Sequence, residues 1–174
     1  MANVSRPDGT VLHYEDFNFA FPWEERGTPV VLVHGLGCNW TLWVKQLAWL
    51  VPARRVIAVD ARGSGGSRPA AQGWSTRDMA ADLHAVVEDA RLVKPVLVGL
   101  SMGGTIVLQY ALDYPDTLSH LVVADAPAGL PKEYQQQQEQ QQEVHLINTV
   151  SAAETARRRM ARYFSTSGDQ RLEQ

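Results

Sequence analysis

The chain has 174 residues, a length that suits one domain with a buried core. Its residues are 45% hydrophobic and 20% charged with a formal net charge of −3, which gives no electrostatic pull toward nucleic acid or anionic lipid. A single cysteine, Cys38, excludes an internal disulfide framework, no apolar run approaches the ~18 residues of a spanning helix, and the polar start "MANVSRPDGT" has no apolar signal core, so the expected location is cytoplasmic.

Residues 3–19 read as two short strands. In "TVLHYEDF", Val11, His13 and Glu15 alternate with Leu12, Tyr14 and Asp16, and "PDG" supplies the preceding turn. "PVVLVHG" (29–35) is instead a continuous β-branched run, the pattern of a strand buried on both faces of a parallel sheet. "RVIAVDARG" (55–63), "PVLVGLS" (95–101) and "HLVVADA" (120–126) repeat it. Between them, "NWTLWVKQLAWL" (39–50) and "GGTIVLQYALDY" (103–114) read as helices, the second stopped by Pro115. A third follows Ser75, which is spaced with Asp78 for a capping box. Its apolar face is Met79, Leu83, Val86, Val87 and Ala90. Buried strands alternating with amphipathic helices predict an α/β fold with a doubly wound, mostly parallel sheet. Right-handed crossovers then place the carboxyl ends of the strands on one edge, where ligands bind.

After Pro131 the strand signals stop. Residues 135–142 hold seven Gln and one Glu, and Val144, Ile147 and Val150 continue at helical spacing. The segment reads as solvated helix rather than a prion-like tract. Arg157, Arg158, Arg159 and Arg162 read as a polar helix face rather than a nucleic-acid patch.

Gly99-Leu100-Ser101-Met102-Gly103 matches G-x-S-x-G. It follows a buried strand and precedes a helix, the context in which this motif lifts a serine above a sheet edge on a sharp, strained turn. The flanking glycines, Gly99 and Gly103, let neighbouring backbone pass close. The helix start beside Ser101 favours developing negative charge. Acyl transfer needs two N–H donors aimed at the oxyanion; the backbone N–H groups of Leu36 and Met102 are the candidates. His34 and Gly35 close the preceding strand, and His34 reads as a loop-holding residue rather than a base. "DARGSGGS" (60–67) fails as a phosphate loop, because a dinucleotide fingerprint starting at Gly63 needs glycine where Arg68 stands. Asp60 and Arg62 read as fixing that loop by ion pairs and hydrogen bonds.

The ordered set "VVLVHGLG", "VIAVDARGSGGS" and "VLVGLSMGG", with "DA" ending the last strand, resembles the α/β-hydrolase fold family, and within it the small serine esterases and enol-lactonases. Ser101 argues against the dehalogenase and epoxide hydrolase branches, which carry aspartate at the elbow. The resemblance covers residues 3 to about 130. It implies a hydrolase core over 1–130, with about six of the family's eight strands, and the start of a helical cap over 131–174. It also implies a serine hydrolase acting on carboxylic esters or lactones through an acyl-enzyme, without metal or cofactor. The order of the triad along the chain is Ser, Asp or Glu, then His. Only His120 and His145 follow Ser101. His120 opens its strand on the wrong edge, and His145 lies beside the glutamine tract. His13 and His84 are expected to face solvent. Asp125 ends the sixth strand, where some members of the family place their acid; an aspartate there also serves to fix a loop. The expectation is a chain cut within the cap, inactive or weak by itself. A carboxyl-terminal segment or partner chain would then cover the sheet edge. A small-molecule ester or lactone is the expected partner, with neither nucleic acid nor membrane. The alternatives are a non-catalytic binding protein on the same fold, or the same elbow used for acyl transfer, perhydrolysis or lyase chemistry. Trp40 and Trp43 fit either an apolar acyl pocket or core.

Overall fold

The computed structural model describes residues 2–19, 27–70 and 73–126, all within the unit Met1–Ala128. The helical segment expected from residue 131 onward, with its glutamine tract, its arginines and His145, lies outside the described residues.

Among the described residues six strands form one sheet: β1 (Ala2–Ser5), β2 (Val11–Phe17), β3 (Gly27–Val33), β4 (Arg54–Val59), β5 (Val96–Leu100) and β6 (His120–Ala124). Their order is β1-β2-β4-β3-β5-β6. The β1–β2 and β2–β4 pairs are antiparallel, and every other pair is parallel. A 3-10 turn (Trp40–Trp43) runs into α1 (Val44–Leu50), and the described residues also form α2 (Thr76–Asp89), α3 (Met102–Asp113) and a 3-10 turn at Pro115–Thr117. The sheet is thus mostly parallel and wound on both faces, as the alternation of apolar runs predicts. No described helix is long and apolar enough to cross a membrane.

Continuous apolar runs are needed because both faces of the central strands are covered. Val31, Val33, Ile57, Val59 and Leu97 pack in one core with Leu83, Val86 and Val87 of α2 and Ile106, Val107 and Tyr110 of α3. The alternate residues Val30, Leu32, Val56 and Ala58 meet Trp43 and Leu47 on the other face. Trp43 is therefore core, and Trp40 packs against the same cluster with its ring 5.9 Å from that of Phe17. β3 and β4 stop where their apolar runs stop, at Val33 and Val59. His34, Gly35, Asp60 and Ala61 are loop residues on the carboxyl edge. Burial continues past the end of the ladder, into the polar residues His34 and Asp60.

The start of α2 is the predicted capping box. The Asp78 N–H donates to Ser75 Oγ at 3.2 Å, and the Ser75 N–H donates to Asp78 Oδ2 at 2.7 Å. Its inward face also carries Asp82, which the apolar pattern does not anticipate. Arg62 donates to both Asp82 oxygens, at 2.6 and 2.7 Å, and to Asp8 Oδ2 at 2.8 Å. Arg6 adds a contact to Asp82 Oδ1 at 3.1 Å. These two cations and two anions tie the β1–β2 turn and the loop after β4 to α2. Asp82 and then Asp8 hold the Arg62 guanidinium above its usual range.

His13 and His84 do not face solvent as expected; their side chains are 13% and 22% exposed. The His13 ring lies between Asn3 Oδ1 (3.2 Å) and Glu15 Oε1 (3.4 Å). His84 stacks on Tyr114 with ring centroids 3.9 Å apart, and its Nδ1 is 3.2 Å from the Tyr110 hydroxyl. Each ring is covered by side chains from elements whose proximity only folding creates.

Asp82→Ala leaves a buried Arg62 short of its partner, a change that costs about 3–5 kcal/mol when a buried ion pair is broken; urea unfolding measures it. Asp8 reports on acid. The Thr10 N–H first, and Arg62 second, hold its carboxyl at about 2, below the ordinary 3.8. Its contribution to stability is present above 3.8 and is lost as pH falls through about 2. Asp8→Asn flattens the acid limb of a stability–pH curve in that window.

Candidate active site

β5 delivers the chain to the carboxyl edge between β3 and β6. The turn from Leu100 into α3 allows one residue between strand and helix, and that residue is Ser101. Its backbone has φ +53° and ψ −118°, a region that costs a non-glycine residue about 1–3 kcal/mol. The Ser101 N–H ties the turn to the end of β6, donating to the Ala124 carbonyl at 2.9 Å, and the Ser101 carbonyl accepts from Thr105 N–H at 3.2 Å. The flanking glycines are steric necessities. A Cβ on Gly99 would strike the backbone of Gly103 and Gly104, and one on Gly103 would strike the carbonyls of Val33 and His34. The first turn of α3 thus lies on the ends of β3 and β5, with Ser101 at its amino end.

The loop after β3 lies beside Ser101. A Cβ placed on Gly35 would be 3.4 Å from the Ser101 Cβ. His34 is fully buried. Its Nε2 accepts the Ala61 N–H at 3.0 Å, so the ring proton sits on Nδ1, which donates to the Gly35 carbonyl at 2.7 Å. The Cys38 N–H donates to the same carbonyl at 3.2 Å. In a trans peptide the C=O of Gly35 and the N–H of Leu36 point in opposite directions. Two hydrogen bonds on the oxygen therefore fix the direction of the Leu36 N–H. Met102 is the first residue of α3, so its N–H has no acceptor within the helix.

The remaining predicted residues are placed as follows. Asp125 follows β6 with φ +48°, directly after the residue whose carbonyl receives the Ser101 N–H. Its side chain is exposed, and among the described residues its carboxylate has no hydrogen-bond or ion-pair partner. His120 pairs with Val96 at the start of β5. At about 3.3 Å per residue, it lies roughly 13 Å down the strand from Ala124. With His34 engaged at both nitrogens and His13 and His84 paired elsewhere, no described histidine has a ring nitrogen placed at Ser101. The sequence pattern does not signal that Asp60 bridges to the loop after β3: its Oδ1 accepts the Trp40 N–H at 2.7 Å. No local pattern signals that contact across 20 residues. Among the described residues, no group of acidic, cysteine or histidine side chains is arranged to hold a metal ion.

A model of the alpha/beta hydrolase fold matches residues 28–165. The chain belongs to the α/β-hydrolase fold family. Among curated proteins it is similar to the RutD protein of Escherichia coli O1:K1 / APEC, named for carbamate hydrolysis. The two are 38% identical over 94 residues, covering 53% of this chain and 35% of RutD. Among solved structures, an esterase from Exiguobacterium antarcticum is 33% identical, with a TM-score of 0.65 over 76% of this chain and 48% of that one. The structure of Est816, described as an N-acyl homoserine lactone degrading enzyme, is 27% identical, with a TM-score of 0.66 over 79% of this chain and 52% of Est816. The chain therefore spans about a third to a half of these relatives.

Ser101→Gly relieves the positive-φ strain, so it raises stability by about 1 kcal/mol, while Ser101→Ala retains the strain; thermal unfolding of the two variants separates them.

Proposed function

We propose that this chain carries the nucleophile and oxyanion hole of a serine hydrolase acting on carboxylic esters or lactones. The observation that carries this reading is the left-handed Ser101 at the strand–helix turn, with Gly35 packed beside it. The named activities of an esterase and a lactone-degrading enzyme among the structural neighbours support the substrate class; the carbamate named for RutD shares its acyl–oxygen chemistry.

In this reading Ser101 Oγ attacks the acyl carbon and gives its proton to a base. The carbonyl oxygen becomes an oxyanion held by the N–H groups of Leu36 and Met102. The tetrahedral species collapses and releases the alcohol, which takes the proton back from the base. Water then attacks the acyl-enzyme by the same route and frees the acid. His34 contributes by holding the loop in place. Its Nδ1–H holds the Gly35 carbonyl and its Nε2 lone pair accepts the Ala61 N–H, so it has no lone pair to offer Ser101. The base is a residue outside the described ones. Asp125, exposed after β6 and without a partner among the described residues, is the carboxylate we assign to orient it. Core and cap divide near residue 130 in this reading, and the cap selects the acyl group. Exposed Val122 and Val123 on the edge strand β6 are the surface that a further segment or partner chain covers. The single cysteine suits a cytoplasmic location.

A fluorophosphonate loses fluoride to an activated serine and stays bonded to it. Labelling of the 174-residue chain is expected to be slow and to map to Ser101. It disappears in Ser101→Ala, and a longer chain that supplies a histidine labels faster by about 100-fold or more. If neither form is labelled or cleaves an activated ester, the protein is a binding module on a hydrolase fold.

A further inference from the structure

Asp60 follows the last residue of β4 and is 1% exposed. Among the described residues no cationic side chain pairs with it. Its carboxylate is instead divided between two backbone donors: Oδ1 takes the Trp40 N–H at 2.7 Å, and Oδ2 takes the Gly66 N–H at 2.8 Å. A buried carboxylate held this way is tolerated only while both bonds persist, so the two loops that supply them are constrained together.

The Trp40 bond gives Asp60 a role in the site. Trp40 opens the helical run that continues through α1, and Asn39 Oδ1 accepts the next free donor, the Thr41 N–H, at 3.0 Å. The oxyanion loop lies between His34 and Trp40. At its first end His34 Nε2 accepts the Ala61 N–H; at its last end the Trp40 N–H meets Asp60. Both ends are therefore tied to adjacent residues after β4. Between them the loop holds itself, with a hydrogen bond from the Cys38 N–H to the Gly35 carbonyl. Asp60 is itself held in place. Its N–H donates to the His13 carbonyl at 3.0 Å, and its carbonyl accepts the Ser67 hydroxyl at 2.7 Å. Gly65, at φ +53°, lies so close that a Cβ there would run into the Asp60 carboxylate. Only glycine lets the second loop close over this side chain.

We propose that Asp60 is a positioning residue for the reaction: through the Trp40 N–H it anchors the far end of the oxyanion loop and so fixes where the Leu36 N–H points. This rests on the serine hydrolase reading above. Asp60 touches neither substrate nor Ser101 and acts only through the backbone.

The test compares the full chain with Asp60→Asn, which keeps the volume but replaces one acceptor with a donor, and with Asp60→Ala, which removes both acceptors. Arg77→Ala, on the exposed face of α2, is the control. Fluorophosphonate labelling gives the maximal rate constant, the half-saturating concentration and the final labelled fraction. The expected result is a maximal rate constant about 10- to 100-fold lower in both Asp60 variants, the scale of a small misplacement of reacting groups. The half-saturating concentration and the labelled fraction stay unchanged. Amide exchange by NMR at Leu36, Cys38 and Trp40 is expected to speed at least about tenfold, with Val31, Ile57 and Leu97 unaffected. A lower labelled fraction with an unchanged rate constant overturns the proposal, because a merely structural residue reduces the folded population and not the rate of folded molecules. Equal acceleration of exchange at the core amides overturns it too. If the unsubstituted chain is not labelled, the hydrolase reading fails separately. Exchange then decides the anchor alone: faster exchange confined to residues 36–40 keeps it, and unchanged exchange removes it.

Discussion

The contact between the first turn of α3 and the ends of β3 and β5 governs the rest of the site. Gly103 lies against the carbonyls of Val33 and His34, and Gly99 lies against the backbone of Gly103 and Gly104. Helix and strand can come that close only where neither has a side chain. Once they do, one residue must span the gap, and it is forced to φ +53°. The same approach puts the amino end of α3, with its unsatisfied N–H groups, next to that residue. A strained serine and a helix start thus share one steric cause.

A parallel sheet collects the loops around Ser101. β3, β4, β5 and β6 all end on one edge, so residues 34–40, 60–67, Ser101 and Asp125 gather there though they are far apart in sequence. These loops are held mainly by polar contacts. His34 and Asp60 spend their side chains on backbone groups, and Arg62 and Asp82 tie the β4 loop to α2. Apolar packing could bury these loops but could not aim a particular N–H. Hydrogen bonds are directional, and that accounts for buried polar residues above an apolar sheet.

Much of this was legible in the chain. The β-branched runs gave the four parallel strands, and Ser75 with Asp78 gave the start of α2. G-x-S-x-G gave the turn, because its glycines and its strand–helix context are local. Burial past the strand ends was less legible: His34 and Asp60 are polar, yet both are buried after the ladder has stopped. The histidines were least legible. His13 and His84 looked like surface residues, yet Asn3, Glu15, Tyr110 and Tyr114 cover them. Asp82 broke an apolar helix face without announcing Arg62 as its partner.

The sequence by itself determined the alternation of strands and helices, the place of the tight turn and the identity of its serine, because each follows from residues within about one helical turn or one strand of one another. Only the tertiary structure decided what the polar side chains do. The tautomer of His34 depends on an N–H 27 residues away, and the Asp60 anchor on one 20 residues back. The distance of His120 from Ser101 depends on the register of β6 against β5. Hydrogen-bond partners of this kind are set by which strands lie side by side, and no local pattern encodes that.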